Sequence, residues 1–314
     1  MFLNLALAVL RSFSAPKVLY FHHVGSRRSP FYTLKVSAPS LRKLLESLMG
    51  SGFSFISLQH ALESKKPSGN QICLCSDDGF ASNYYDAYPI LKELRIPFTM
   101  FLPGMCMDNK ALAPNHLFAY LRTQVSDHQL YEELPGLAAK YGLKESDSIS
   151  QTLFSCPQER RQELLAWFWE RFNLPDPAHL LKQEKPFLST KQLKEMVSAG
   201  VDLALHSHSH ADLSRLSYAE IKQEMQDNIR VFKELGLPYK PWLALPYGRE
   251  ISVANMQSLK KELGISRFFG IRSHIGDNLA SNLLWQRISI EAKGFDPFLD
   301  LQVKPLLRRP KRRY

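Results

Sequence analysis

Two runs carry residue types able to do hydrolytic chemistry. Cys75-Ser76-Asp77-Asp78-Gly79 and His206-Ser207-His208-Ser209-His210 each close an apolar stretch. One carboxylate together with two imidazoles four residues apart can hold a divalent ion, and neutral imidazole nitrogen suits zinc. A second carboxylate beside them would stay free as a base, which is the make-up of a hydrolytic metal centre. Blander roles compete for each run taken alone. Asp is a good helix N-cap ahead of Phe80, and a His-rich surface turn needs no metal. His208 would share a face with His206 and His210 in an extended strand. In a turn it points away, so it is left outside the ligand set.

Two smaller pieces sit in comparable places. Pro246-Tyr247-Gly248 follows an apolar stretch, and such a tight turn can aim the Tyr247 backbone N–H at an oxyanion. His22-His23 follows the first apolar run, where an imidazole can donate a proton to a leaving group. By itself each is an ordinary turn or a structural histidine.

These pieces need a scaffold. Buried strands are expected at 18–21, 53–56, 72–75, 98–102, 201–205, 242–245, 268–271 and 286–290, on apolar and β-branched content. Helices alternate with them. One starts near Pro39 and carries Leu41, Leu44, Leu45 and Leu48 on one face. Another covers 81–94, where Pro89 should kink or split it. Thr190 can cap a third, and Ser217-x-x-Glu220 is a capping box for a fourth. A helix over 253–263 completes the set. From about 105 to 188 strand signals vanish in favour of Leu, Glu, Lys, Gln and aromatics, which reads as a mostly helical insertion. Its Trp167 and Trp169 are assigned to packing. Strand–helix alternation argues a parallel α/β barrel over about 16–300, with the chemistry at strand ends.

The 314 residues include 45% hydrophobic ones, enough for a large core, and no stretch reaches the ~20 apolar residues of a membrane span. The net charge of +10 favours an anionic neighbour or simple solubility. Part of it lies in a basic tail, 301–314, able to sit near anionic lipid. Residues 1–15 suit a short amphipathic helix better than a signal peptide, since no positive charge precedes the apolar core. Four cysteines without a C-x-x-C pattern build no disulfide framework, and a reducing, cytoplasmic setting with peripheral membrane contact is expected. No nucleic-acid motif accompanies the charge, so no nucleic-acid partner is expected.

Taken together and in order, the motifs resemble the polysaccharide deacetylases, the NodB-homology group of carbohydrate esterases. That family's Thr-Phe-Asp-Asp-Gly is matched by Cys75-Ser76-Asp77-Asp78-Gly79, and its His-Ser/Thr-x-x-His by His206 to His210, with Asp212-Leu213 trailing. Tyr88-Pro89-Ile90-Leu91-Lys92 and Pro97 to Leu102 fit the flanks. The resemblance spans about 17–290, interrupted by the insertion. It implies a distorted (β/α)7-type barrel, a divalent metal (zinc by preference) on Asp78, His206 and His210, Asp77 as general base, and Tyr247 supplying its N–H to the oxyanion. A circularly permuted branch, similar to the poly-N-acetylglucosamine deacetylases, has its acid His near the start in Tyr-His-x-Ile/Val. Phe21-His22-His23-Val24 matches, making His22 the acid ahead of His274. That branch also lacks the Arg of Arg-x-Pro-Tyr-Gly, as does Ala244-Leu245-Pro246-Tyr247-Gly248 here, so what orients the base is left open. Cys75 and Ser76 depart from Thr and Phe, a change of packing rather than chemistry. The implied substrate is an N-acetylated glycan or lipid-linked sugar, with acetate released.

Two rivals use the same residues. A two-His-one-carboxylate iron enzyme has these ligand types, though its carboxylate usually lies close to the first His in a β-rich jelly roll. A catalytically inactive, glycan-binding barrel would have little reason to keep both the acid pair and the His pair.

Overall fold

A computed structural model describes residues 16–25, 30–32, 36–64, 68–271, 283–291 and 295. The N-terminal segment 1–15, the basic tail and His274 lie outside these. The strands are β1 (Lys17–Phe21), β2 (Ser54–Phe55), β3 (Gln71–Asp77), β4 (Phe98–Leu102), β5 (Asp202–Leu205), β6 (Lys240–Ala244), β7 (Arg267–Gly270), β8 (Leu284–Gln286) and β9 (Ile288–Ser289). Every pairing is parallel, in the order β8-β7-β6-β5-β4-β3-β1-β9, with β2 beside β3 off this path. Only Arg287 separates β8, which pairs with β7, from β9, which pairs with β1. One stretch of chain thus touches both ends of the path, and the sheet curls into a nearly closed, distorted α/β barrel.

The helices are α1 (Ala38–Gly50), α2 (Leu58–Glu63), α3 (Tyr88–Glu93), α4 (Pro114–Gln124), α5 (Asp127–Tyr141), α6 (Ile149–Ser155), α7 (Arg161–Arg171), α8 (Pro177–Glu184), α9 (Thr190–Ser198), α10 (Tyr218–Glu234) and α11 (Val253–Leu263). Among the described residues, no helix is long and apolar enough to cross a membrane. Strand alternation sorts the core into two layers. Leu19, Phe21, Ile72 and Leu74 face the helices, whereas Val18, Tyr20, Cys73 and Cys75 face the barrel interior with Phe101 and Trp242. The insertion between β4 and β5 has its own core, built on residues such as Phe118, Leu134, Leu153 and Phe168. A fourth cluster, including Phe31, Phe80, Tyr120 and Phe187, seals it to the barrel. Trp167 and Trp169 pack against the insertion core, and the Trp169 indole N–H donates to the Pro175 carbonyl at 2.8 Å.

Several boundaries differ from the sequence reading, each for a local reason. The expected 53–56 strand shrinks to two residues at the edge of β3. The expected 286–290 strand breaks at Arg287. The 81–94 helix splits into a π turn over Asn83–Ala87 and α3, whose first turn holds Pro89, where a missing N–H costs nothing. Helix α9 is capped by Ser189, not Thr190, in a capping box with Gln192. Strand β3 runs on through Asp77, pairing it with Phe101, so the acid pair straddles the strand's last residue and the turn after it.

Candidate metal centre

The candidate residues among those described lie at the C-terminal ends of the parallel strands, the catalytic face of such barrels. His22 follows β1, Asp77 ends β3, His206 follows β5, and Pro246-Tyr247-Gly248 comes just after β6. Four non-glycine residues here adopt the left-handed backbone region: Asp78 (φ 68°), Ser207 (φ 61°), His210 (φ 56°) and Tyr247 (φ 57°). That region is costly for side-chain-bearing residues, and clusters of it mark functional sites. At Gly79 (φ +69°) a Cβ would fall 2.6 Å from Leu102, which confines that position to glycine.

The left-handed turns aim three ligand atoms at one point. Asp78 Oδ1 lies 3.6 Å from His206 Nε2 and 3.4 Å from His210 Nε2. A tetrahedral site with zinc bonds of roughly 2.0–2.1 Å needs ligand separations of about 3.3–3.4 Å. All three residues are buried, and Asp78 Oδ1 has no hydrogen-bond partner. An orphaned buried carboxylate oxygen is expensive unless a cation meets it. His206 Nδ1 donates to the Ala244 carbonyl at 2.8 Å, which fixes the tautomer and turns the Nε2 lone pair inward. Burial pushes the His210 imidazole down to about 3 despite the Asp78 carboxylate beside it. His210 is therefore neutral near pH 7, as a ligand must be. Burial opposes ionisation of Asp78, but His210 and His116 outweigh it and hold its carboxyl well below the usual range. The donor set thus fits a divalent ion.

Helix α10 holds the His-rich turn in place. Asn228, fully buried, accepts the His206 N–H at 3.1 Å and donates to the Leu102 carbonyl at 3.2 Å. Glu224 accepts the N–H groups of His208 and Ser209 at 2.9 and 2.8 Å. His208 is outside the three-ligand cluster. Asp212 is tied to Arg249, just past the Pro-Tyr-Gly turn, at 2.5 Å. The Tyr247 ring meets His210 edge-on, with centroids 4.8 Å apart.

Asp77 is held differently from Asp78. Arg287 grips it with both terminal nitrogens, Nη1 to Oδ1 at 2.6 Å and Nη2 to Oδ2 at 2.8 Å. The Arg287 guanidinium carbon stands over the Tyr20 and Phe101 rings at 4.5 and 5.2 Å. Burial favours the neutral acid, but the guanidinium outweighs it and holds the Asp77 carboxyl below the usual range. This arginine fills the place left open by the missing motif arginine. No local sequence signal marks it, since Gln286 and Ser289 are polar neighbours in the same stretch. Replacing Arg287 with Leu should destabilise the chain by about 3–5 kcal/mol, since it strands a buried carboxylate. Denaturant unfolding measures this, and a loss under ~1 kcal/mol would show that the pair is not a buried bridge of consequence.

His22 has a partner that was also missed. Its Nδ1 lies 2.7 Å from Glu291 Oε2, and the Tyr32 hydroxyl, 2.6 Å from the same nitrogen, donates to that oxygen at 3.2 Å. The backbone N–H of His23 donates to Glu291 Oε1 at 3.1 Å. Burial alone would lower the His22 pKa, but Glu291 wins and raises it to about 9. His22 is therefore a cation near pH 7, with Nδ1 engaged and Nε2 left for the cleft. Its side chain is 17% exposed. His22, Asp77, Asp78, His206, His210 and Tyr247 all line one cavity of about 280 Å³. The insertion lines part of that cavity with Phe118 and Arg122 of α4 and Leu153 and Phe154 of α6.

The chain is similar to known proteins in sequence and in fold. The Bacillus subtilis (strain 168) protein YxkH, named as a polysaccharide deacetylase, is 26% identical over 154 residues, covering 47% of this chain and 48% of that one. The match therefore spans about half the length of that curated relative. Among solved structures, Streptococcus pyogenes deacetylase PplD, in complex with acetate, superposes with a TM-score of 0.52 at 18% identity over 93% of this chain and 96% of its own. IcaB from Ammonifex degensii gives 0.54 at 18% over 92% and 95%. A de-N-acetylase from Aggregatibacter actinomycetemcomitans gives 0.54 at 17% over 91% and 98%. At such identities these likenesses speak to the fold. The family model for polysaccharide deacetylases matches residues 64–268, well over half of the chain and inclusive of both the acid pair and the His-rich run. His22, Arg287 and Glu291 fall outside that stretch: His22 follows β1, Arg287 lies between β8 and β9, and Glu291 comes after β9. The chain belongs to the polysaccharide deacetylase family.

Proposed function

We propose that this chain is a metal-dependent deacetylase that removes N-acetyl groups from an amino sugar and releases acetate. The observation that carries the reading is Asp78 Oδ1 facing the Nε2 atoms of His206 and His210, with a second carboxylate, Asp77, held beside them by Arg287. Asp78, His206 and His210 would hold the ion, and the N/O donor set suits zinc. When bound, such an ion polarises the acetamide carbonyl and lowers the pKa of water.

The remaining work falls to the chain's own groups. Asp77, kept ionised and oriented by Arg287, takes a proton from the attacking water. Its lowered pKa makes it a weak base, so it serves best against water already acidified at the site. The backbone N–H of Tyr247, whose residue lines the cavity in a left-handed turn, donates to the oxyanion. His22, protonated and braced by Glu291, gives its proton to the departing sugar amine. The acid placed just after β1 favours the circularly permuted branch of the family. The iron-enzyme reading gains nothing from a parallel barrel, and an inert glycan-binding barrel leaves the Asp77–Arg287 and His22–Glu291 pairs unexplained.

A cavity of about 280 Å³ favours an N-acetyl group on a terminal sugar or one carried on a lipid, over an internal unit of a long polymer. A panel of N-acetylated glycans, short, polymeric and lipid-linked, assayed for acetate release with chelated and zinc-restored protein, tests this. Release from none of them, or release indifferent to chelation, would refute it. Peripheral contact with anionic membranes through 1–15 and the basic tail fits the same substrate. Sedimentation with anionic vesicles should fall when 301–314 is deleted, and unchanged sedimentation would remove that part of the proposal.

The His22–Glu291 pair sets a pH dependence. A group raised from 6.5 to about 9 works as an acid below that value, so the rate should fall as pH rises through about 9. The same pair stabilises the fold fully below pH 6.5, and this contribution is lost as pH climbs through about 9. Replacing Glu291 with Gln removes the charge that raises the imidazole, so the alkaline limb should move down by about 1–3 pH units. A limb that stays in place would separate His22 from the proton donor.

A further inference from the structure

The helical insertion does more than line the cavity. His116, in the first turn of α4, is fully buried, and its Nε2 lies 3.7 Å from Asp78 Oδ2. The two oxygens of Asp78 thus face different imidazoles: Oδ1 faces His206 and His210, while Oδ2 faces His116. His116 Nε2 has no hydrogen-bond partner. Phe80 and Phe187 clamp the His116 ring, with centroids 5.6 and 5.0 Å away. A buried, clamped imidazole with an unmet nitrogen is costly unless it serves a nearby acceptor. That nitrogen instead faces the carboxylate oxygen that the His206–His210 pair does not.

The other side of the ring indicates which nitrogen carries the proton. His116 Nδ1 lies 3.8 Å from the Cys106 Sγ. Cys106 is a free, buried thiol, and burial keeps it protonated, while Ala113 offers a backbone hydrogen bond to the sulfur. A thiol S–H donated to Nδ1 would place the ring proton on Nε2, on the side of Asp78. A nitrogen that bears a proton cannot ligate a cation, which sets His116 apart from His206 and His210.

We propose that His116 is a positioning residue of the metal centre: its Nε2–H holds Asp78 Oδ2 and leaves Oδ1 to the ion, with the Cys106 thiol fixing the tautomer. This rests on Asp78, His206 and His210 being the ligands. The 3.7 Å separation is an ion-pair contact rather than a formed hydrogen bond, and a small turn of the carboxylate closes it. The insertion, on this view, is an integral part of the metal centre.

The test compares two amides of different reach in the full chain. Glutamine at this position can bring a side-chain N–H to about where Nε2 stands, and asparagine is too short. Zinc affinity, read by competition with a chromophoric chelator, should fall by about 10–100-fold in His116→Asn, the usual cost of losing such a partner. His116→Gln should recover most of it. Unfolding midpoints of the zinc-free proteins show whether the variants share the wild-type fold, and Cys106→Ala gives a second reading that leaves His116 in place, with a smaller loss expected. Equal affinity in wild type, Asn and Gln variants would overturn the proposal. So would an equal loss in Asn and Gln with the fold intact, which would indicate a direct ligand. If His210→Ala binds zinc as wild type does, the ligand assignment itself fails. Acetate release plays no part in these readouts, so they stand apart from the question of substrate.

Discussion

Asp77→Asn should keep one zinc per chain and lose acetate release by roughly 10²–10⁴-fold, the usual cost of removing a general base. The separation of roles comes from geometry. Arg287 occupies both Asp77 oxygens, and the nearer approach of Asp77 to the ligand set is 3.8 Å, from Oδ2 to His206 Nε2. Asp78 instead turns an unpartnered oxygen to both histidines. Asparagine keeps one acceptor for Arg287 but can take no proton from water. It also leaves a buried guanidinium without a full counter-charge, so some stability will be lost. Rates must therefore be measured well below the variant's unfolding midpoint, with zinc content determined on the same sample. Normal turnover would remove Asp77 from the chemistry, and loss of zinc would move it into the ligand set.

His210→Ala should lose both zinc and activity. The affinity drop should exceed the ~10–100-fold typical of partners that only orient a ligand. His210 is neutral at working pH because burial holds its imidazole down to about 3, so its removal deletes a preformed donor rather than a cation. The metal-free variant should be no less stable than the metal-free parent by more than about 1–3 kcal/mol, since His210 Nδ1 has no hydrogen-bond partner to strand. Unchanged zinc affinity would contradict the ligand assignment whatever happens to the rate.

Some of this site was legible from the chain alone, and the reason is local. The acid pair and the His-rich run are short, each ends an apolar strand, and each needs only its neighbours to be recognised. The barrel followed from strand–helix alternation, because each strand carries its own pattern. What escaped notice depends on residues that meet only in three dimensions. Arg287 and Asp77 are 210 positions apart, and His22 and Glu291 are 269 apart. A lone arginine or glutamate near the end of a chain has no local signature. His116 lay in an insertion whose Leu-rich helices read as packing, and nothing in Pro114-Asn115-His116 points at Asp78. The left-handed conformations of Asp78, His210 and Tyr247 were equally hidden, since those residue types carry no glycine to announce them. Boundary differences, such as the capping of α9 by Ser189 and the break at Arg287, are one-residue shifts set by capping geometry and barrel closure.

The most direct test is an anomalous-difference map from crystals of the zinc-loaded full chain. A single peak should lie roughly 2.0–2.2 Å from Asp78 Oδ1 and from the Nε2 atoms of His206 and His210, with Asp77 outside coordination range. A peak on other residues, or none at those three atoms in crystals grown with saturating zinc, would contradict the account at its root.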